Sequence, residues 1–261
     1  MKITLVNFLL LFSGIISYGQ QEIEASKILR DLKNGKSIAY QNATIVGTLD
    51  FTFKEDAKEK HRKKEYSWFN WFKNGSTNAI EKIIETKVSF VNCIFEGDVL
   101  AYIPDENSGY TYIANFEEDL TFKNCTFKQK ALFKYSKFFQ NSDFSGSKFE
   151  DDSSFKYAKF EREALFDSTV FHEVSTFKYA YFKDHANFSK SLFKDTAIFK
   201  YSTFTQGVSF KNTQFEDNLN IKYATIEGHF NSEGMRVIYD IDSEYTKING
   251  KSFSNYLIDK N

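Results

Sequence analysis

The chain has few of the residues that usually build compact chemical sites. Its 261 residues include 1 Pro, 2 Cys and 4 His, and the formal net charge is −1. The histidines lack the spacing of metal ligands, and we find no Gly-rich phosphate loop, nucleophile elbow or zinc pattern. These four are His61, His172, His185 and His229. The balanced charge gives no long-range attraction to nucleic acid. We therefore expect no enzyme activity, no cofactor, no metal site and no nucleic-acid partner.

The apolar run at the N-terminus is short. Residues 1–19, MKITLVNFLLLFSGIISYG, have one early charge at Lys2, an apolar stretch and small residues near the end. This pattern is typical of a signal peptide, and the run is too short to predict a transmembrane span. No cysteine stands at the cleavage point to accept a lipid. We expect an exported protein, periplasmic or secreted.

Aromatic residues are abundant, with 30 Phe and 15 Tyr, and they recur regularly. The segment FKYAKF at 155–160 returns as FKYAYF at 177–182 and as FKYSTF at 199–204, an interval of 22 residues. From Phe133 to Ile226 a large apolar residue follows in steps that alternate between five and six. A small residue stands two positions before nearly every one of them.

A spacing of two puts the small and the large residue on one side of an extended chain, and the longer step requires a bend. Each unit is therefore a very short strand followed by a corner. Four units make 22 residues, which predicts a four-sided coil stacked on its neighbours as parallel sheets about 4.8 Å apart.

The units resemble pentapeptide repeats, in which a small residue, a polar residue and a central Leu or Phe recur every five positions. The segments 142–144, 158–160, 164–166 and 186–188 (SDF, AKF, ALF and ANF) carry this resemblance. It implies an all-β fold, a right-handed quadrilateral parallel β-helix, here over residues 41–230 with about seven coils. The extra residue in every second step departs from the family pattern and should bulge two of the four corners.

The ends and two insertions interrupt the repeat. We expect a helical N-terminal cap over residues 20–40, with its helix from Glu22 to Lys36, and a C-terminal cap over residues 231–261 with a hairpin at Asn249 and Gly250. The predicted insertions cover residues 54–86 and 102–112, and the second is a loop or hairpin leaving one corner.

The 22-residue interval also aligns polar residues in columns. The Lys column contains Lys134, Lys156, Lys178, Lys200 and Lys222, and the Tyr column contains Tyr135, Tyr157, Tyr179, Tyr201 and Tyr223. We interpret them as one outward face that either contacts a partner or repeats only because the units arose by duplication. The acidic column, Asp151, Glu173, Asp195 and Asp217, precedes the lysines by five residues; we expect it to offset their charge around the corner, with calcium binding as an alternative.

Two further features allow more than one interpretation. Cys93 and Cys125 occupy small positions that stack once the insertion is removed, so they form either a disulfide or two buried thiols. The aromatic run SWFNWF either packs on the wall of the coil or contacts a partner or membrane. It contains Trp68, Phe69, Trp71 and Phe72.

The sequence thus predicts a non-enzymatic, exported β-solenoid that serves as a structural or protein-interaction module, with a protein or a cell-surface polymer as its partner. The alternative is a glycan-binding or carbohydrate-active protein that uses the Lys and Tyr columns. Some pentapeptide repeat proteins inhibit DNA gyrase by mimicking DNA, but the signal peptide and the Lys column argue against that role here.

Overall fold

The computed structural model describes residues 21–57 and 78–254, and within them the chain coils around one axis with four parallel sheets as its walls. We number the sheets in the order in which each coil passes through them. Sheet 1 consists of Ile38–Gln41, Val88–Val91, Leu120–Lys123, Ser142–Asp143, Ala164–Leu165, Ala186–Asn187, Gly207–Ser209 and His229–Asn231. Sheet 2 consists of Gln21–Glu24, Ala43–Val46, Ile94–Phe95, Thr126–Phe127, Lys148–Phe149, Val170–Phe171, Leu192–Phe193, Gln214–Phe215 and Arg236–Val237.

The other two walls follow in the same way. Sheet 3 consists of Leu49–Asp50, Val99–Leu100, Ala131–Leu132, Ser153–Ser154, Ser175–Thr176, Ala197–Ile198, Leu219–Asn220 and Ile241–Asp242. Sheet 4 consists of Ala79–Ile84, Tyr102–Asp105, Tyr110–Phe116, Lys137–Phe138, Lys159–Phe160, Tyr181–Phe182, Thr203–Phe204, Thr225–Ile226, Lys247–Ile248 and Lys251–Ser252. The predicted fold class, an all-β parallel β-helix with four sides, is confirmed.

The core is a stack of phenylalanine rings. Residues 22 apart pair directly across each sheet, as Phe138 does with Phe160, so the inward rings of the central coils lie on their own copies in the next coil. Phe177, for example, stacks on Phe155 and Phe199 with ring centroids 4.9 and 4.8 Å apart. It also meets Phe166 edge to face at 5.2 Å. Stacked and edge-to-face pairs are both favourable arrangements of aromatic rings, so Phe fills the interior without leaving a channel.

The N-terminal cap contains more strand than we predicted. The helix spans Ala25–Lys33 rather than residues 22–36, and its buried Ile28 and Leu32 pack on the core. Residues 21–24 instead form the first strand of sheet 2 and pair with residues 43–46. The reason is the alternation in this segment, which places Ile23 inward beside Ile45 and the glutamates outward.

The insertions are smaller than predicted. Residues 79–84 lie inside the predicted insertion 54–86 but belong to sheet 4, and residues 58–77 lie outside the described part. The second insertion is the expected hairpin, with Tyr102–Asp105 antiparallel to Tyr110–Phe116. It adds ten residues to its coil, after which the register resumes with Phe116 opposite Phe138.

The array also continues past residue 230, where we had placed the C-terminal cap. Strands through Ile248 extend all four sheets by one coil. The sequence pattern hides this coil because Phe230, Met235 and Ile241 now occupy the small positions, while Ser232 takes a central position. The predicted hairpin then closes sheet 4, with φ of 48° at Asn249 and 77° at Gly250.

Candidate interaction surface

The corner between sheets 3 and 4 contains the Lys and Tyr columns. Each corner is a tight turn, in which the Ser136 amide donates to the Phe133 carbonyl at 3.2 Å and Tyr135 has φ of 64°. A left-handed third residue is what a type II turn requires, and it costs a residue other than glycine about 1 kcal/mol. The five-residue steps form these turns. The six-residue steps from Phe133 to Ile226 turn more widely, and positive φ occurs in them at a glycine, Gly207, rather than at residues with a side chain.

The tyrosines form one continuous stack of rings. Neighbouring rings of the column lie 4.6 to 4.9 Å apart between centroids and are parallel to within 11°. The stack extends one coil beyond our prediction, to Tyr245, which is 64% exposed. Tyr245 lies 22 residues after Tyr223, in a coil without the regular Phe pattern, so the only sequence signal for it is the interval itself. Within the stack the ring faces cover one another, so the edges and hydroxyl groups are what face solvent.

Each lysine of the Lys column lies against the tyrosine that follows it. The distance from Nζ to the ring centroid is 5.0 Å for Lys134, 5.4 Å for Lys156 and 5.2 Å for Lys178. This is within the range of a cation–π contact, which contributes about 0.5 to 1 kcal/mol at an exposed site. Lys134 also donates to the Tyr102 hydroxyl at 3.0 Å.

The charge of the Lys column is largely uncompensated. Among the described residues, Lys134, Lys156, Lys178 and Lys200 have no carboxylate oxygen within 4.0 Å, whereas Lys222 pairs with Glu244. Lysines elsewhere on the walls do pair, as Lys183 with Glu161 at 2.9 Å. Partial burial lowers the pKa of Lys156 from 10.5, and the charges of Lys134 and Lys178 lower it further. The column is therefore a row of cations that repel one another.

The acidic column does not offset that charge, contrary to our expectation. Its residues lie at the corner between sheets 2 and 3, and the strand of sheet 3 separates them from the lysines. Among the described residues, no carboxylate oxygen of this column lies within 4.0 Å of a lysine of the Lys column. Two contacts place the Asp217 carboxylate at this margin of sheet 3: it accepts from Thr196 Oγ1 at 2.7 Å and from Asn218 Nδ2 at 3.0 Å.

A metal site finds no support in the described ranges. Residues 21–57 and 78–254 contain no group of three or more His, Cys, Asp or Glu side chains placed to hold a metal ion. The same ranges contain no helix long and apolar enough to cross a membrane. Near the C-terminal end, Glu244, Tyr245 and Phe253 help to line an open depression of about 400 Å³.

The two cysteines directly precede the paired strands Ile94–Phe95 and Thr126–Phe127 of sheet 2, as the 22-residue register predicts once the ten-residue insertion is removed. Both are buried, and both are free thiols in this structure.

The Cys125 thiol donates to the backbone carbonyls of Phe90 and Lys123, at 3.4 and 3.5 Å. The neighbouring Cys125 thiol lowers the pKa of Cys93, whereas burial raises the pKa of Cys125. The disulfide between them stays a prediction. The aromatic run with Trp68, Phe69, Trp71 and Phe72 lies outside the described residues.

Comparison with known proteins supports the repeat. A family model described as pentapeptide repeats (9 copies) matches residues 114–159 and 155–203, which include most of the Lys and Tyr columns. No curated protein and no solved structure matches the chain. The matched segments consist of short strands paired at the 22-residue interval, in the four-sided coil that the resemblance implied. Residues 114–203 therefore match the pentapeptide repeat family.

Proposed function

We propose that the protein is an exported, non-enzymatic β-solenoid that binds a macromolecular partner through the corner between sheets 3 and 4. The observation that carries this proposal is the row of uncompensated lysines beside the stacked tyrosines. Repulsion between exposed like charges one coil apart costs up to about 1 kcal/mol per pair. A bound anionic surface would remove that cost, because each lysine would gain an opposite charge.

The interior supports a non-enzymatic role. Reactions of small molecules usually take place in concave pockets. Here the large inward side chains are closely stacked Phe rings, such as Phe155 and Phe177, the inward polar groups of the repeat are small Ser and Thr hydroxyls, and the Lys and acidic columns lie on the outer surface. A flat, regular wall of this kind suits recognition of another extended surface.

Export is part of the proposal and rests on residues 1–19. A signal peptide would place the mature protein in the periplasm or outside the cell, where proteins and cell-surface polymers are the available partners. N-terminal sequencing of the protein isolated from its native cells tests this point. A mature N-terminus near Gln20 supports export, and an intact Met1 in a cytoplasmic fraction contradicts it.

Glycan binding through the tyrosines is the second candidate. The stack argues against sugar rings lying on aromatic faces, because rings 4.6 to 4.9 Å apart leave no space between them for a pyranose. A glycan would have to bind through the lysines and the tyrosine hydroxyls, and it would have to be acidic. A glycan array distinguishes these cases: binding to neutral glycans that is lost in Y157A/Y179A would support stacking, and binding to uronic or sulfated glycans alone would support the lysines.

Site-directed photo-crosslinking in native cells tests the proposed surface. A photoreactive residue replaces Lys178, and a control replaces Asn187, which lies on the outer face of sheet 1 on the opposite wall. We expect crosslinked products from position 178 and few from position 187. Equal labelling at both positions, or none at either, would contradict the assignment of this corner as the contact surface.

A further inference from the structure

We propose that sheet 3 is a self-association surface and that its occupant is a second copy of this chain, bound side by side and parallel. The inference rests on the proposed function, because the Lys column is part of the same surface. It identifies the macromolecular partner as a second copy of this chain. Two columns of opposite sign border this wall, both repeat at the coil spacing, and all their members except Lys222 lack an ion pair within the described residues. A second copy carries both columns with the same spacing.

Opposite charges line the two margins of sheet 3. The Lys column follows the strands on one side, and the acidic column precedes them on the other. Within the described residues, the four acids of this column have no cationic partner within 4.0 Å, and four of the five lysines have no carboxylate partner. In each of the four coils from residue 151 to residue 222, the wall therefore has an acid of the acidic column on one margin and a lysine of the Lys column on the other.

The middle of the wall is uncharged over four coils. Its outward residues alternate with the buried small residues of the strands, and all of them are half-buried. These outward residues are Ser154, Thr176, Ile198 and Asn220. Interfaces between proteins are depleted of charge at their centre and polar at their rim, and this wall has that composition.

Symmetry decides how two such walls can meet. A two-fold axis parallel to the solenoid axis exchanges the two margins, so the Lys column of one copy faces the acidic column of the other on both sides. Residues of the same coil then meet, for example Lys178 with Glu173 of the second copy. A two-fold axis perpendicular to the solenoid axis instead places lysine on lysine and acid on acid. Complementarity therefore selects the parallel, isologous dimer.

The dimer should be weak and sensitive to salt. One wall of a narrow solenoid is smaller than a standard interface, so the complex belongs with transient associations. Exposed charge pairs are screened as ionic strength rises, because the Debye length falls from about 10 Å at 0.1 M to about 3 Å at 1 M. We expect a dimer at low salt and high protein concentration, and a monomer at high salt.

Sedimentation velocity on two charge-reversed variants of the purified protein tests the proposal. The first is K156E/K178E/K200E, which makes both margins acidic. The second is D151K/E173K/D195K, which makes both margins basic. Each variant alone should remain monomeric, and an equimolar mixture should restore the dimer mass, because every acidic margin then faces a basic one. The far-ultraviolet circular dichroism spectrum of each variant shows whether it folds.

The control variant is K123E/K148E/K190E, which changes the charge equally on sheets 1 and 2 and at the corner between them. It should dimerise like the parent. A parent that stays monomeric at low salt, or a mixture of the two charge-reversed variants that fails to dimerise, would overturn this inference. Photo-crosslinking to other macromolecules from position 178 would then still support the proposed function, so the two failures are distinguishable.

Discussion

Replacing one lysine in the middle of the Lys column should stabilise the monomer. Lys178 has Lys156 and Lys200 as neighbours one coil away, and each pair of exposed charges at about 4.8 Å costs up to about 1 kcal/mol in water. The variant K178M also loses the contact with the Tyr179 ring, worth about 0.5 to 1 kcal/mol. The expected net gain is about 1 kcal/mol in the free energy of unfolding at low salt, measured by urea denaturation at a protein concentration that keeps the chain monomeric.

The matched control is K183M, because Lys183 is paired with Glu161 at 2.9 Å. An exposed ion pair contributes little, so this variant should lose at most about 1 kcal/mol. Raising the salt to about 1 M should abolish the gain of K178M. K178M could be less stable than the parent at low salt, or both variants could respond alike to salt. Either result would contradict the repulsion between neighbouring lysines of the Lys column.

The pH dependence provides a second test of the same repulsion. The pKa of Lys156 is lowered in the folded chain, so between that pKa and 10.5 the unfolded chain holds more protons. The free energy of unfolding should therefore rise with pH through this window. In K178M one of the neighbouring charges is gone, and the rise should be smaller than in the parent. An unchanged slope would contradict the assignment.

Two substitutions and one thiol measurement test the core, a close backbone contact and the cysteines. F177A removes a ring with stacked and edge-to-face partners and should lower the free energy of unfolding by about 3 to 5 kcal/mol in urea titrations; a loss below 1 kcal/mol would mean that the interior is loosely packed. G207A forces a side chain at φ of 95° against the backbone of His229, so a loss of about 3 kcal/mol is expected, and a neutral result would contradict that close approach. Protein isolated from an oxidising compartment and alkylated after unfolding should show no free thiol if Cys93 and Cys125 are bonded; two alkylated cysteines would show buried thiols instead.

The periodic part of the fold was predictable because each coil repeats the same pattern of small and large inward residues. A large inward ring follows a small residue, and a spacing of 22 places each residue on its own copy, so Phe138 beside Phe160 follows from counting alone. The stacked pair Tyr157 and Tyr179 follows from the same count. The contact of each lysine with its tyrosine does not, because it depends on side-chain direction at a left-handed turn.

Prediction failed where backbone pairing persisted without the apolar pattern. The last coil keeps its hydrogen bonds although Ser232 replaces a central Phe, and residues 79–84 join sheet 4 after a long interruption. The expected compensation between the acidic column and the Lys column was also wrong. The two columns are five residues apart in the sequence, but they lie on opposite margins of sheet 3. The spacing of five residues led us to expect that Asp151 offsets Lys156 around one corner, but the strand Ser153–Ser154 lies between them.

Distances between pairs of spin labels along one wall test the coil most directly, since every column depends on it. The labels replace outward residues of sheet 3 in a C93A/C125A background, at a salt concentration that keeps the chain monomeric. The pairs 132–220 and 154–242 are each four coils apart and should give the same distance, about 19 Å, and the pair 132–242 should give about 24 Å. Unequal distances for the first two pairs, or no increment of one coil spacing for the third, would contradict the 22-residue coil and with it the proposed surface.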